Sequence, residues 1–134
     1  MTANAWLPQP TSLRAVAQTA QARGEPLVVM TTLNGCPYCE LVRTRYLGPM
    51  RRDEGLLAVQ LDVMDRQSPL QDFAGTTRTP ADVVSGWKAR FTPTVLFFDA
   101  NGRELAERLV GVASPDFYGS YLEQRLAAAR QAIR

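Results

Sequence analysis

The sequence predicts an α/β fold in which a mixed sheet carries helices on both faces. Three observations lead there. Two short, fully apolar runs, Leu27–Met30 and Val95–Phe98, suit central strands buried on both sides. Segments with helical periodicity separate the predicted strands. The run Asp99-Ala100-Asn101-Gly102 after the second apolar strand is a strong turn signal and returns the chain as a hairpin.

Along the chain, residues 1–10 contain Pro8 and Pro10 and read as an extended arm ahead of a single domain, 11–134. Ser12 is a good N-cap for a first helix whose apolar face is Leu13, Val16, Ala17 and Ala20, ended by Gly24 and Pro26. Leu27 to Leu33 is the first strand. The next helix starts at Cys36, with Pro37 at the first helical position, where its missing N–H costs nothing. Gly48-Pro49 breaks or kinks that helix and Gly55 ends any continuation. Leu57, Val59, Leu61 and Val63 alternate with Ala58, Gln60 and Asp62, a period-two strand.

Residues 65–79 read as a loop with at most one helical turn, and the longer stretch 65–85 as a lid or partner surface. Thr79-Pro80 starts a short helix carrying Val83, Val84 and Trp87. Arg103 to Val110 is the returning strand of the hairpin. Ser114-Pro115 opens a last helix with the stripe Tyr118, Leu122, Leu126, Ala129 and Ile133.

Composition excludes several function classes. The net charge is +2 and the basic residues form no stripe, so no nucleic-acid partner is expected. The absence of histidine removes imidazole catalysis and His metal ligation. No apolar run approaches the roughly 20 residues of a membrane helix, so no membrane insertion is expected. The opening shows no basic start followed by an apolar block. Ala3-Asn4-Ala5 fits the tail of a removed export signal, which favours a periplasmic protein over the cytoplasmic alternative.

Both cysteines of the chain sit in Cys36-Pro37-Tyr38-Cys39. A thiol attacks disulfides as the thiolate, and a free Cys, with a pKa of about 8.5, is mostly protonated at neutral pH. A helix N-terminus presents unpaired N–H groups and partial positive charge. Cys36 at the cap should therefore be the more acidic thiol. Cys39, one turn on, should be the more buried and near enough to form a disulfide. Cys36 is then the attacking thiol and Cys39 the resolving one, with Pro37 stiffening the turn and Tyr38 adding bulk and a hydroxyl. Two thiols without a third ligand do not make a zinc site, and neither metal nor cofactor is expected. An inert thiol pair retained for packing is the bland alternative. The second element is Thr92-Pro93. Its proline either starts the strand or forms a cis turn that exposes the backbone of Thr92 to an extended substrate.

Together these pieces resemble the thioredoxin superfamily. The resemblance rests on Val28-Val29-Met30 leading into Cys36-Pro37-Tyr38-Cys39, on Val59–Val63, on Phe91-Thr92-Pro93-Thr94 before Val95–Phe98, and on Asn101-Gly102 and Val110-Gly111. It spans about residues 11–134. It implies a four- or five-stranded sheet, a cis Pro93 against the disulfide, and Gly111 in a substrate groove with Thr92. It also implies protein disulfide or dithiol substrates, a redox donor protein and a monomer. The sequence departs from ordinary thioredoxin in three ways. The motif is CPYC preceded by Asn34-Gly35, Met30 stands where the family has a buried Asp, and the segment between Cys39 and Pro93 is longer. Proton transfer at Cys39 then falls to water or to a group such as Asp62. CPYC is typical of glutaredoxins, so a glutathione-linked enzyme is the enzymatic alternative, and a redox-inert binding module the non-enzymatic one.

Overall fold

The computed structural model describes residues 3–133. A four-stranded sheet has the order β2-β1-β5-β6, where β1 is Leu27–Thr32, β2 Ala58–Asp62, β5 Thr94–Phe98 and β6 Leu109–Val110. β1 runs parallel to β2, with Val28 opposite Ala58, and antiparallel to β5, with Met30 opposite Val95. The predicted mixed sheet is thus present, with the two apolar runs side by side at its centre.

Side-chain alternation divides the core into two layers. Val28 and Met30 of β1 and Val95 and Phe97 of β5 face a cluster that also holds Cys39, Val42, Leu47, Leu122 and Leu126. Leu27, Val29, Leu96 and Phe98 face a second cluster with Leu13, Ala17, Leu70, Val83 and Val84. Helix α2 (Leu13–Ala22) and helix α5 (Pro80–Gly86) cover this second face. Both are capped as their sequences require. Ser12 Oγ accepts the N–H of Ala15, and Thr79 Oγ1 that of Asp82.

Four expectations are corrected. The arm is not extended throughout: Ala3–Trp6 forms a helical turn, α1, and the arm is docked. Leu7 is wholly buried in the cluster that contains Cys39. The carbonyl of Pro8 accepts the N–H of Gln60 at 3.0 Å. The Trp6 ring lies on Gly48, where any side chain would collide with it. Residues 1 and 2 of the expected arm fall outside the described residues.

Residues 65–79 are not a plain loop. Leu70–Gln71 (β3) and Thr77–Arg78 (β4) form a two-stranded ribbon. Leu70 fills the second cluster, and Phe73 packs on Trp87 and Phe98 at centroid distances of 6.1 and 5.0 Å. These anchors hold the segment on the face of the sheet away from Cys39, so it is no lid over the cysteines. Strands two residues long leave no periodicity to read.

The returning strand is shorter than 103–110. Glu104 bridges Phe98, then the chain leaves the sheet until Leu109 pairs with Val95, a slip of two residues in register. That excess must bulge out, and it does so between the two pairings. The last helix, α6 (Tyr118–Ile133), starts four residues later than Ser114; the carbonyl of Ser114 instead accepts the N–H of Phe117 in a turn. Its stripe of Tyr118, Leu122, Leu126 and Ala129 is buried as expected.

The helix after Cys36 is continuous but changes winding. Pro37–Leu41 (α3) is α-helical, Val42–Leu47 is a π segment, and Gly48–Glu54 (α4) is α-helical again, ended by Gly55 at φ 72°. Pro49 cannot donate to a carbonyl one turn back, and the wider winding before it absorbs the mismatch.

Candidate active site

Cys36 takes the N-cap position of α3, with φ −101° and ψ 103°, and Pro37 follows at the first turn. Its Sγ accepts the N–H of Cys39 at 3.2 Å. One of the orphan donors of a helix start thus points at this sulfur. The two cysteines form a disulfide across a Cα–Cα distance of 5.2 Å. Cys39 is 1% exposed, whereas Cys36 is only partly covered. Cys36 opens on a cavity of about 330 Å³ lined also by the loop Leu33–Gly35, Glu40 and Arg43. Tyr38 projects outward, 46% exposed.

The peptide bond Thr92–Pro93 is cis. Pro93 is buried and Thr92 is partly exposed. A hydroxyl on β1 fastens this turn. Thr31 Oγ1 donates to the carbonyl of Phe91 at 3.2 Å and accepts the N–H of Thr94 at 2.8 Å. Thr94 Oγ1 donates to the same Phe91 carbonyl at 2.5 Å. The carbonyl of Pro93 accepts the N–H of Gly111 at 2.8 Å. Gly111, at φ 67°, lies against the Phe91 ring. Thr92, Pro93 and Gly111 are therefore gathered into one turn, and Thr31 ties that turn to the strand that leads to Cys36. The exposed apolar side chains Phe91 and Val110, 65% and 59% accessible, flank it.

Sequence reasoning missed Thr31, Arg43 and Gln60. Thr31 reads as an ordinary β-branched strand residue, and Arg43 as a solvated helix charge. Yet Arg43 is buried, and its Nε donates to Gln60 Oε1 at 3.0 Å. Gln60 Nε2 in turn donates to the carbonyl of Leu7 at 2.9 Å. A polar residue in the middle of the apolar alternation of β2 was the one available signal. Met30, in the place of the family's buried acid, is fully buried in the apolar cluster that also holds Cys39. The Oδ1 of Asp62 accepts the N–H of Met64 at 2.8 Å, which makes it a turn residue.

A dithiol/disulfide pair at a helix start, in a chain that also carries a cis-proline turn, defines a class: thiol–disulfide oxidoreductases generally. The profile of the thioredoxin-like domain family matches residues 13–126, and the chain belongs to that family. Mitochondrial thioredoxin 3 of Saccharomyces cerevisiae, in its oxidised form, is similar with a TM-score of 0.59 and 14% identity, covering 94% of this chain and 98% of that one. Oxidised thioredoxin O2 of Arabidopsis thaliana gives 0.55 and 16%, covering 87% and 93%. The oxidised C-terminal domain of DsbD of Neisseria meningitidis also gives 0.55 and 16%, covering 83% and 90%. At these identities the likeness concerns the fold. Comparison with curated proteins returns no match.

Proposed function

We propose that the protein reduces or exchanges disulfides of protein partners through Cys36 and Cys39. The carrying observation is the asymmetry of the pair: a partly exposed Cys36 whose sulfur receives a helix-start N–H, and a buried Cys39. In the reduced protein the Cys36 thiolate attacks one sulfur of a substrate disulfide. That bond breaks, Cys36 is joined to the substrate, and the departing sulfur takes a proton. Cys39 then loses its proton and attacks Cys36 Sγ, which releases the second substrate thiol and leaves the Cys36–Cys39 disulfide. Two electrons pass to the substrate, and a redox donor protein restores the dithiol. Run backwards, the same steps oxidise a partner.

Pro37 and Tyr38 shape the turn between the thiols. Thr92, Pro93 and Gly111 form the wall against which an extended substrate lies. The proposal includes a monomeric protein that works in the periplasm.

Insulin reduction by dithiothreitol tests the reading. The protein should accelerate it, Cys36→Ser should return the rate to background, and Cys39→Ser should accumulate a mixed disulfide with its substrate. Full activity in Cys39→Ser would reject the two-thiol mechanism. Turnover supported by glutathione and its reductase would move the assignment to the glutaredoxin-like alternative. No acceleration, with Cys36 alkylated no faster than a free thiol, would leave a binding module.

A further inference from the structure

We infer that Arg43 is a positioning residue for this reaction: a buried cation that ties three elements together beside Cys36 and favours the thiolate of that cysteine. The inference rests on the function proposed above. Arg43 stands four residues after Cys39, and helical side chains lean back over the preceding turn. Its guanidinium therefore reaches toward the start of α3. Nη2 donates to Thr32 Oγ1 at the end of β1, 2.7 Å away. Nη1 donates to Glu40 Oε2 on α3 at 3.0 Å, and Nε to Gln60 Oε1 on β2 at 3.0 Å. Its planar fork satisfies three acceptors on three elements at once.

The ion pair with Glu40 does not cancel this charge. The Arg43 side chain is 6% exposed and the Glu40 side chain 67%. Water screens an exposed charge far more than a buried one. Cys36, Glu40 and Arg43 line one cavity, and the less screened of its two charges is the guanidinium's. Other ionisable groups nearby are Tyr38 on α3 and Asp62, in register with Thr32 at the end of β2. Asp62 opposes Arg43 from a partly exposed position. The turn 91–94, the segment 109–112 and Met30 contribute no charge. A fixed cation stabilises Cys36–S⁻ over Cys36–SH, whose proton goes to water. It thereby favours the reduced protein over its disulfide.

The test compares the full chain with Arg43→Gln, Arg43→Lys and Glu40→Gln. Cys36 alkylation by iodoacetamide is followed against pH by mass spectrometry, and the dithiol is equilibrated with glutathione redox mixtures. Arg43→Gln should leave about tenfold less Cys36 thiolate below the titration midpoint, as expected for loss of one nearby charge. Its dithiol form should be about tenfold less favoured over the disulfide, or roughly 30 mV for the two-electron couple. Arg43→Lys should stay near the parent, and Glu40→Gln should shift the midpoint toward acid. An unchanged midpoint in Arg43→Gln overturns the inference, as does a lysine variant that falls as far as glutamine. Should Arg43→Gln fail to fold, the double variant Arg43→Met with Glu40→Gln removes both charges together, and a midpoint no higher than that of Glu40→Gln alone overturns the inference. If the parent itself shows an ordinary Cys36 thiol and no exchange activity, the functional reading fails, not merely the role of Arg43.

Discussion

The two faces of the sheet are built from the same strands but differ in what they bury. The face behind α2 and α5 is apolar and aromatic: Trp87, Phe98 and Phe73 form a ring cluster with a centroid spacing of 4.7 Å between Trp87 and Phe98. The face that carries Cys39 also holds a guanidinium, the Gln60 amide and the Tyr118 hydroxyl, which has no hydrogen-bond partner among the described residues. Buried polar groups cost free energy unless they are paired. This chain concentrates that cost where the thiols are and leaves the other face to supply packing. Its helices differ accordingly. α2 and α5 are short, capped and regular, whereas the helix from Pro37 to Glu54 changes winding and takes its inner cover from the arm.

The comparison can be broken most severely at Phe98. Phe98→Ala should cost about 3–5 kcal/mol of stability, since it removes a buried ring and leaves a cavity. The pH profile of Cys36 alkylation should not move in the folded fraction. Urea unfolding and alkylation on one sample check both halves, and a shifted profile would show that the faces are coupled.

A smaller effect concerns the ribbon beside that face. Asp72 accepts Arg78 Nε at 2.8 Å and the N–H groups of Thr76 and Ala74 at 2.8 and 3.0 Å. These bonds, that with Arg78 foremost, hold its carboxyl below the usual carboxylate range. Asp65 is lowered likewise, by its bonds with Ser68 and then Gln67. Carboxyls depressed in the folded state stabilise it above their unfolded pKa of about 4, and that support is lost as the pH falls through the lower folded value. Amide exchange at Ala74 and Thr76 should therefore accelerate, relative to the sheet, as the pH drops below about 4. In Asp72→Asn the acceleration should already be present at about pH 7. Protection that is insensitive to both would contradict the role of Asp72.

The smallest effect is expected at Tyr118. Burial, with Tyr46 adding to it, raises the pKa of this hydroxyl and keeps it neutral. Tyr118→Phe removes an unpaired polar atom and keeps the ring, so stability should be unchanged or higher by up to about 1–2 kcal/mol. A loss of more than about 1 kcal/mol in thermal unfolding would mean that the hydroxyl has a partner, since a typical net hydrogen bond is worth about that much.

Much of the fold was legible because local chemistry decides it. The apolar runs suited central strands, Ser12, Cys36 and Thr79 suited the caps of the helices that begin beside them, and the stripe of α6 was periodic over several turns. The cysteine pair was legible for the same reason: cap, proline and spacing lie within four consecutive residues. The ribbon at 70–78 was not legible, because its strands are shorter than any period that could mark them, and neither was the register slip in the hairpin.

Sequence alone determined the order of the elements other than the first helical turn and the ribbon, the thiol pair and the helix end on which it sits, since each depends on neighbours in the chain. Tertiary structure decided that Leu7 joins the core cluster that holds Cys39, that Thr31 clips the turn holding Pro93, and that Arg43 is buried among Thr32, Glu40 and Gln60. All of those contacts but the one between Arg43 and Glu40 join residues more than ten positions apart along the chain, and the cost of burying a polar group is met only by partners that the fold brings to it.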